Sequence, residues 1–160
     1  MNIRKIALGF FAALTVWMAG IVFNLICAIA DNNLLVFSPA VKLMYSHVCH
    51  QLPAKTISVS GMPFMLCARC SGLYTGAFIM SLLLLLPVNG GAALSRRMNF
   101  RHLIFISLPM LADTILYRTG LYSYSKTLAF VTGILSGSAG FLYILGAFDK
   151  RFFTTTNSRN

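Results

Sequence analysis

Three of the four cysteines and one of the three histidines fall within 24 residues: Cys49-His50-Gln51, then Pro63-Phe64-Met65-Leu66-Cys67-Ala68-Arg69-Cys70-Ser71-Gly72. Cys67-x-x-Cys70 is the knuckle spacing that presents two thiolates to one tetrahedral ion, and Cys49 with His50 would complete a Cys3His set. Cys49 and His50 are adjacent, which makes ligation by both at once awkward. His47, three residues earlier, offers an alternative nitrogen. Zinc is the default ion for this donor set, with another transition metal as its variant. The same cysteines also support thiol redox chemistry. Arg69 between the pair and a helix start just after Cys70 would both lower a thiol pKa, and Cys49 would act as resolving partner. A third reading is a disulfide from Cys49 to Cys67 or to Cys70 that pins a loop, plausible on an oxidising side of a membrane.

The elements that must hold these residues are apolar. The 160-residue chain is one domain by length, 58% hydrophobic and only 10% charged, with a mean hydropathy of +0.77. Soluble domains carry about 25% charged residues, so most of this surface does not face water. Thirteen Lys and Arg stand against three Asp, for a formal charge of +10. The basic residues sit at the ends of apolar runs, where they anchor helices against headgroups. Nucleic-acid binding needs a contiguous basic face, and none is visible. The lipid bilayer is the partner this composition implies.

Residues 6–30 form an apolar run interrupted by Thr15 and Asn24 and preceded by Arg4 and Lys5. A hydrocarbon core needs about 20 residues, so this reads as a first span. Ala28-Ile29-Ala30 resembles a cleavage site, but the apolar core is longer than a signal peptide's. The first helix is therefore read as retained. Ser38-Pro39 reads as an N-cap with proline at the first helical position, and Val41, Met44, Tyr45 and Val48 recur at helical spacing. That describes a short helix on the membrane surface. Pro53 stops it, 55–60 alternates like a strand, and Gly61 turns the chain. Further spans follow at 71–88, 103–117, with a kink expected at Pro109, and 127–148. The tail after Asp149-Lys150-Arg151 reads as disordered. The fold class is all-α: an integral membrane four-helix bundle with a structured extracytoplasmic loop, 31–70, between helices 1 and 2.

With the N-terminus inside, the cytoplasmic segments hold Arg4, Lys5, Arg96, Arg97, Arg101, Lys150, Arg151 and Arg159, against Lys42, Lys55, Arg69, Arg118 and Lys126 outside. Eight against five places both termini in the cytoplasm and the Cys/His loop outside a prokaryotic cytoplasmic membrane. All four cysteines, Cys27 included, then belong to the outer third. So does Asp113, an acid within a span and hence a functional candidate. It would stand behind the ligands, holding His50, or pair with Arg118, Tyr117 or the outer loop. Tyr74, one turn below Cys70, is a further neighbour. Gly72 with Gly76, and Gly133 with Gly137, are each four apart, a spacing that serves intrachain packing or a homo-oligomer.

Two resemblances follow from these residues. An outward Cys-x-x-Cys at the start of a membrane helix in a four-helix bundle resembles disulfide bond formation protein B and, more loosely, vitamin K epoxide reductase. This implies Cys67, Cys70, Cys49 and Arg69 as redox residues and a quinone as cofactor. The loop after the third span lacks the second cysteine pair of that oxidase family. Separately, Cys49-His50-Gln51-Leu52-Pro53, Lys55-Thr56, Gly61, Pro63 and Cys67-Ala68-Arg69-Cys70-Ser71-Gly72-Leu73-Tyr74-Thr75-Gly76 resemble the signature of a prokaryotic membrane family, domain of unknown function 2085. Pro109, Asp113, Gly120, Thr132-Gly133 and Gly137 match its later elements. Ala54, Lys55 and Thr56 replace its Glu-Arg-Ser, and Leu128-Ala129 stands where it commonly has an Arg. The resemblance implies a small multi-span membrane protein and brings no reaction with it.

Overall fold

A computed structural model describes residues 3–30, 32–86, 94–95 and 97–157. The chain is mostly helical. Helices α1 (Ile3–Ile21) and α2 (Phe23–Ala30) are followed by a 3-10 segment, Asn32–Phe37, and α3 (Ser38–Ser46). A hairpin of β1 (Thr56–Val59) and β2 (Met62–Cys67) leads into α4 (Ala68–Leu85), α5 (Phe100–Arg118) and α6 (Lys126–Asn157). Ala68–Leu85, Phe100–Arg118 and Lys126–Phe148 are each long and apolar enough to cross a membrane, and α1 with α2 makes a fourth span if the bent pair counts as one. The loop expected around 89–97 lies mostly outside the described residues, as do Asp31 and Arg159.

The run 6–30 is not one straight span. Its two parts, Ile6–Ile21 and Phe23–Ala30, meet at an angle of 72°. The bend has side-chain causes on both sides of Val22. Tyr45 of α3 donates its hydroxyl to the Trp17 carbonyl at 2.7 Å, and a Cβ at Gly20 would overlap that hydroxyl. A side chain inserted against the helix backbone is a recognised origin of a sharp kink. Beyond the bend, Asn24 donates to the Pro63 carbonyl at 3.1 Å and accepts from the Ser38 hydroxyl at 2.7 Å. The polar interruption in the apolar run thus ties α2 to the hairpin and to α3. Ser38 consequently does not cap α3; Phe37 occupies that position with no side-chain cap.

The all-α expectation is corrected by the hairpin. The alternating stretch does form a strand, and its partner is the segment running into Cys67. Val59 faces Met62 across a two-residue turn at Ser60 and Gly61, whose φ values are 51° and 79°. Two consecutive positive φ values match the right-handed twist of paired strands, and glycine takes the second without strain. An irregularity between Thr56 and Ser58 shifts the register so that Thr56 faces Cys67. Two further differences concern the helices. Pro109 stands inside α5 without dividing it. The tail read as disordered continues α6 to Asn157, since no Gly or Pro interrupts 147–157.

Among the helices, α4 packs most extensively on α6, α5 lies on α6, and α1 lies on α4. The α4–α6 contact is a meeting of backbones. A Cβ at Gly72 or Gly76 would press into the carbonyl oxygen of Phe130 or Ile134, and one at Gly133 or Gly137 into that of Arg69 or Leu73. These glycine faces pack against each other within the chain. Gly137→Ala should therefore destabilise by about 1–3 kcal/mol through overpacking. Gly140→Ala, where a Cβ meets nothing within 4 Å, should stay within about 0.5 kcal/mol. Unfolding curves of both variants in detergent check this; equal effects would refute the packing account.

Candidate functional site

Cys67 closes β2 and is the residue from which α4 starts, with extended backbone (φ −67°, ψ 160°). Cys70 follows one turn later, on the same side of the helix. Cys49 arrives from the turn after α3, where the Tyr45 carbonyl accepts from the backbone N–H of both Val48 and Cys49 at 3.1 Å. Gln51 then takes a positive φ of 48° and donates its side-chain amide to the Lys42 carbonyl at 2.8 Å, which turns the chain back toward the hairpin. The result is a cluster: the sulfurs of Cys49, Cys67 and Cys70 all lie within 4.8 Å of one another. The Cys67 backbone N–H donates to the Cys49 sulfur at 3.4 Å.

All four cysteines are free thiols. Donation from the Cys70 thiol, opposed by burial and helped by the Cys70 and Arg69 backbone N–H groups and by Cys49, lowers the Cys67 thiol to about 5. Arg69 thus contributes through its backbone. Its guanidinium, expected to act as a nearby charge on the thiols, is bound elsewhere.

That partner is Asp113, which is 4% exposed and the only buried residue of α5. One carboxylate oxygen accepts from Arg69 and the other from the Tyr122 hydroxyl. Asp113 therefore holds Arg69 and Tyr122 and not His50, and the candidate partners Arg118 and Tyr117 are displaced. Tyr122 was not singled out from sequence; its signal is a phenol in the tight polar loop nine residues after a buried acid. Its bond to Asp113 raises its pKa above the usual phenol range.

His50 is exposed and lines a cavity of about 570 Å³ together with the three cysteines, but it is not part of the sulfur cluster. His47 is also exposed, its Nδ1 3.0 Å from the Leu43 carbonyl. Tyr74 packs against Trp17, ring centroids 5.6 Å apart, in the apolar cluster that surrounds Cys49, Cys67 and Cys70. Cys27 is fully buried in α2 and stands outside the cluster. The bend at Val22 redirects the helix that sequence reading had carried straight to the outer face. Lys55, another residue not singled out, places its ammonium 4.1 Å from the Tyr117 ring and 5.3 Å from that of Tyr124. Burial pushes the Tyr124 hydroxyl up to about 12.

A family described as "Predicted membrane protein", domain of unknown function 2085, matches residues 49–143. The chain belongs to this family. The matched stretch opens at Cys49 and takes in the rest of the sulfur cluster, Arg69, Asp113 and Tyr122; Cys27 falls outside it. An uncharacterised protein of Methanocaldococcus jannaschii is 31% identical over 110 residues, 69% of this chain and 69% of its own. One of Methanothermobacter thermautotrophicus is 31% identical over 96 residues, 59% of this chain and 82% of its own. No solved structure matches the chain. Family membership and the apolar helices together identify a membrane protein.

Two measurements probe this geometry. In chelator-treated protein Cys67 should remain thiolate, and alkylate readily, down to about pH 5. Because its folded pKa lies below the unfolded one, its stabilising contribution is full above the ordinary thiol range and is lost as pH falls through about 5. Alkylation of Cys67 that rises only near pH 8.5, as for an ordinary thiol, would contradict the arrangement. Separately, Asp113→Ala should destabilise by about 3 kcal/mol, because it leaves the Arg69 charge without its partner. Pairing it with Arg69→Met should recover much of that loss; additive losses in the double-mutant cycle would argue against the pair.

Proposed function

We propose that this protein is a four-helix membrane bundle whose outer face carries a transition-metal site made by Cys49, Cys67 and Cys70, with zinc as the default ion. The observation that carries the reading is the gathering of three sulfurs within 4.8 Å. Tetrahedral zinc takes thiolates at about 2.3 Å, so three ligands of one ion lie within that span of one another. Two features favour thiolates: the N–H···S bond from Cys67 to Cys49 and the start of α4 beneath the pair. His50, on the rim of the same cavity, is the available fourth donor. The spans are the bent pair α1–α2, α4, α5 and α6, with both termini cytoplasmic, as the eight-to-five division of basic residues favours. Under this reading α3 and the hairpin form the outer cover that brings Cys49 to the helix pair.

Elemental analysis of purified protein should find about one equivalent of metal per chain, lost in Cys67→Ser and retained in Cys27→Ser. A metal-free wild type whose thermal stability equals that of protein purified with zinc would sink the proposal.

A second reading is favoured by the Cys67 and Cys70 sulfurs, within 4.8 Å of each other, lining an open cavity. The pair would pass two electrons and two protons to a quinone, forming a disulfide and a quinol. Thiol trapping separates the two: Cys67 and Cys70 cycling between dithiol and disulfide on addition of a quinone supports redox chemistry, and permanently reduced cysteines exclude it.

A further inference from the structure

The cavity over the sulfur cluster has a second chemical character. Its lining includes Lys55, Arg69, Arg118 and His50, and no carboxylate among the described residues. Asp113 is not part of the lining, and both its oxygens are bound by Arg69 and Tyr122. Lys55 is held over two tyrosine rings, a contact that positions an ammonium without neutralising it. Arg69 gives one nitrogen to Asp113, while its Nε is buried with no acceptor among the described residues.

The distribution of charge along the chain sharpens this. Extracytoplasmic loops are depleted in Lys and Arg. Under the proposed orientation the outer side nevertheless keeps five such residues, and three of them line this one cavity. Of the other two, Lys126 donates to the Thr56 carbonyl at 2.8 Å and Lys42 lines a separate cavity of about 330 Å³. Lys55 and Arg118, retained against the topological bias around one opening beside the Asp113-paired Arg69, make an electropositive pocket.

We infer that this cavity is a binding site for a phosphate-type oxyanion, held by Lys55 and Arg118 beside the three thiols, with Arg69 in the cavity wall. Guanidinium groups suit such ligands because they donate in a fixed planar fork, and the lysine adds a point charge. The phosphate could be free or part of a lipid headgroup; the recognising chemistry is the same. The inference stands on the cavity lining and does not depend on a metal being bound.

The test is thermal unfolding of the full chain in neutral-lipid nanodiscs, titrated with inorganic phosphate against chloride at matched ionic strength. Binding to the folded state should raise Tm with phosphate and then saturate. Lys55→Gln and Arg118→Gln, which leave the Arg69–Asp113 pair intact, should each weaken the apparent phosphate affinity about tenfold, the worth of one charged hydrogen bond. The titration is repeated in nanodiscs containing phosphatidylglycerol. If the anionic lipid abolishes the response to added phosphate, the ligand is a headgroup; if the response persists, it is a free anion. Equal Tm values in phosphate and chloride in the neutral discs, or a response unchanged in both variants, would overturn the inference. Metal content measured on the same samples reports separately on the metal proposal.

Discussion

The close approach of α4 to α6 is the constraint on which the rest depends. Four glycines let the two backbones touch, and the side chains that would separate them are absent at Gly72, Gly76, Gly133 and Gly137. In lipid there is little hydrophobic force to press helices together, so van der Waals contact between close backbones has to supply much of it. The consequence for the site is direct. Gly133 sits against the Arg69 carbonyl, so the contact fixes the first turn of α4 where it carries Cys67, Arg69 and Cys70.

Onto that fixed turn the outer segment delivers Cys49. The delivery depends on polar groups in an otherwise apolar stretch. Tyr45 reaches back to the Trp17 carbonyl, and Asn24 joins α2 to both Ser38 and Pro63. Each of these groups would be costly to leave without a partner in an apolar setting, so the bend at Val22 and the seating of the hairpin reinforce one another. Tyr45 also belongs to the apolar cluster that includes Cys49 and Leu66. One residue thus shapes the helix break and packs beside the sulfur cluster.

Electrostatics closes the arrangement from the other side. α5 has little buried surface, and what anchors it near the cysteines is Asp113. Binding Arg69 and Tyr122 at once, that carboxylate ties α4, α5 and the loop after α5 together. It also removes the Arg69 charge from direct service to the thiols, so the acidity of Cys67 comes from hydrogen bonds and not from a neighbouring cation.

What the sequence determined by itself was local: the apolar runs, the strand-like alternation at 55–60, and the grouping of Cys49, Cys67 and Cys70. These depend on run length, period and spacing, which neighbouring residues encode directly. The tertiary structure alone decided which partners meet. Asp113 finds Arg69, 44 positions away, and Cys27 lies outside the cluster on a helix bent 72° from α1. The physical reason lies in the helices. A helix that is apolar on every side, as α5 nearly is, carries no stripe to say which face turns inward. Its rotation about its own axis, and so the aim of a single acid upon it, is set by contacts with elements distant in the chain.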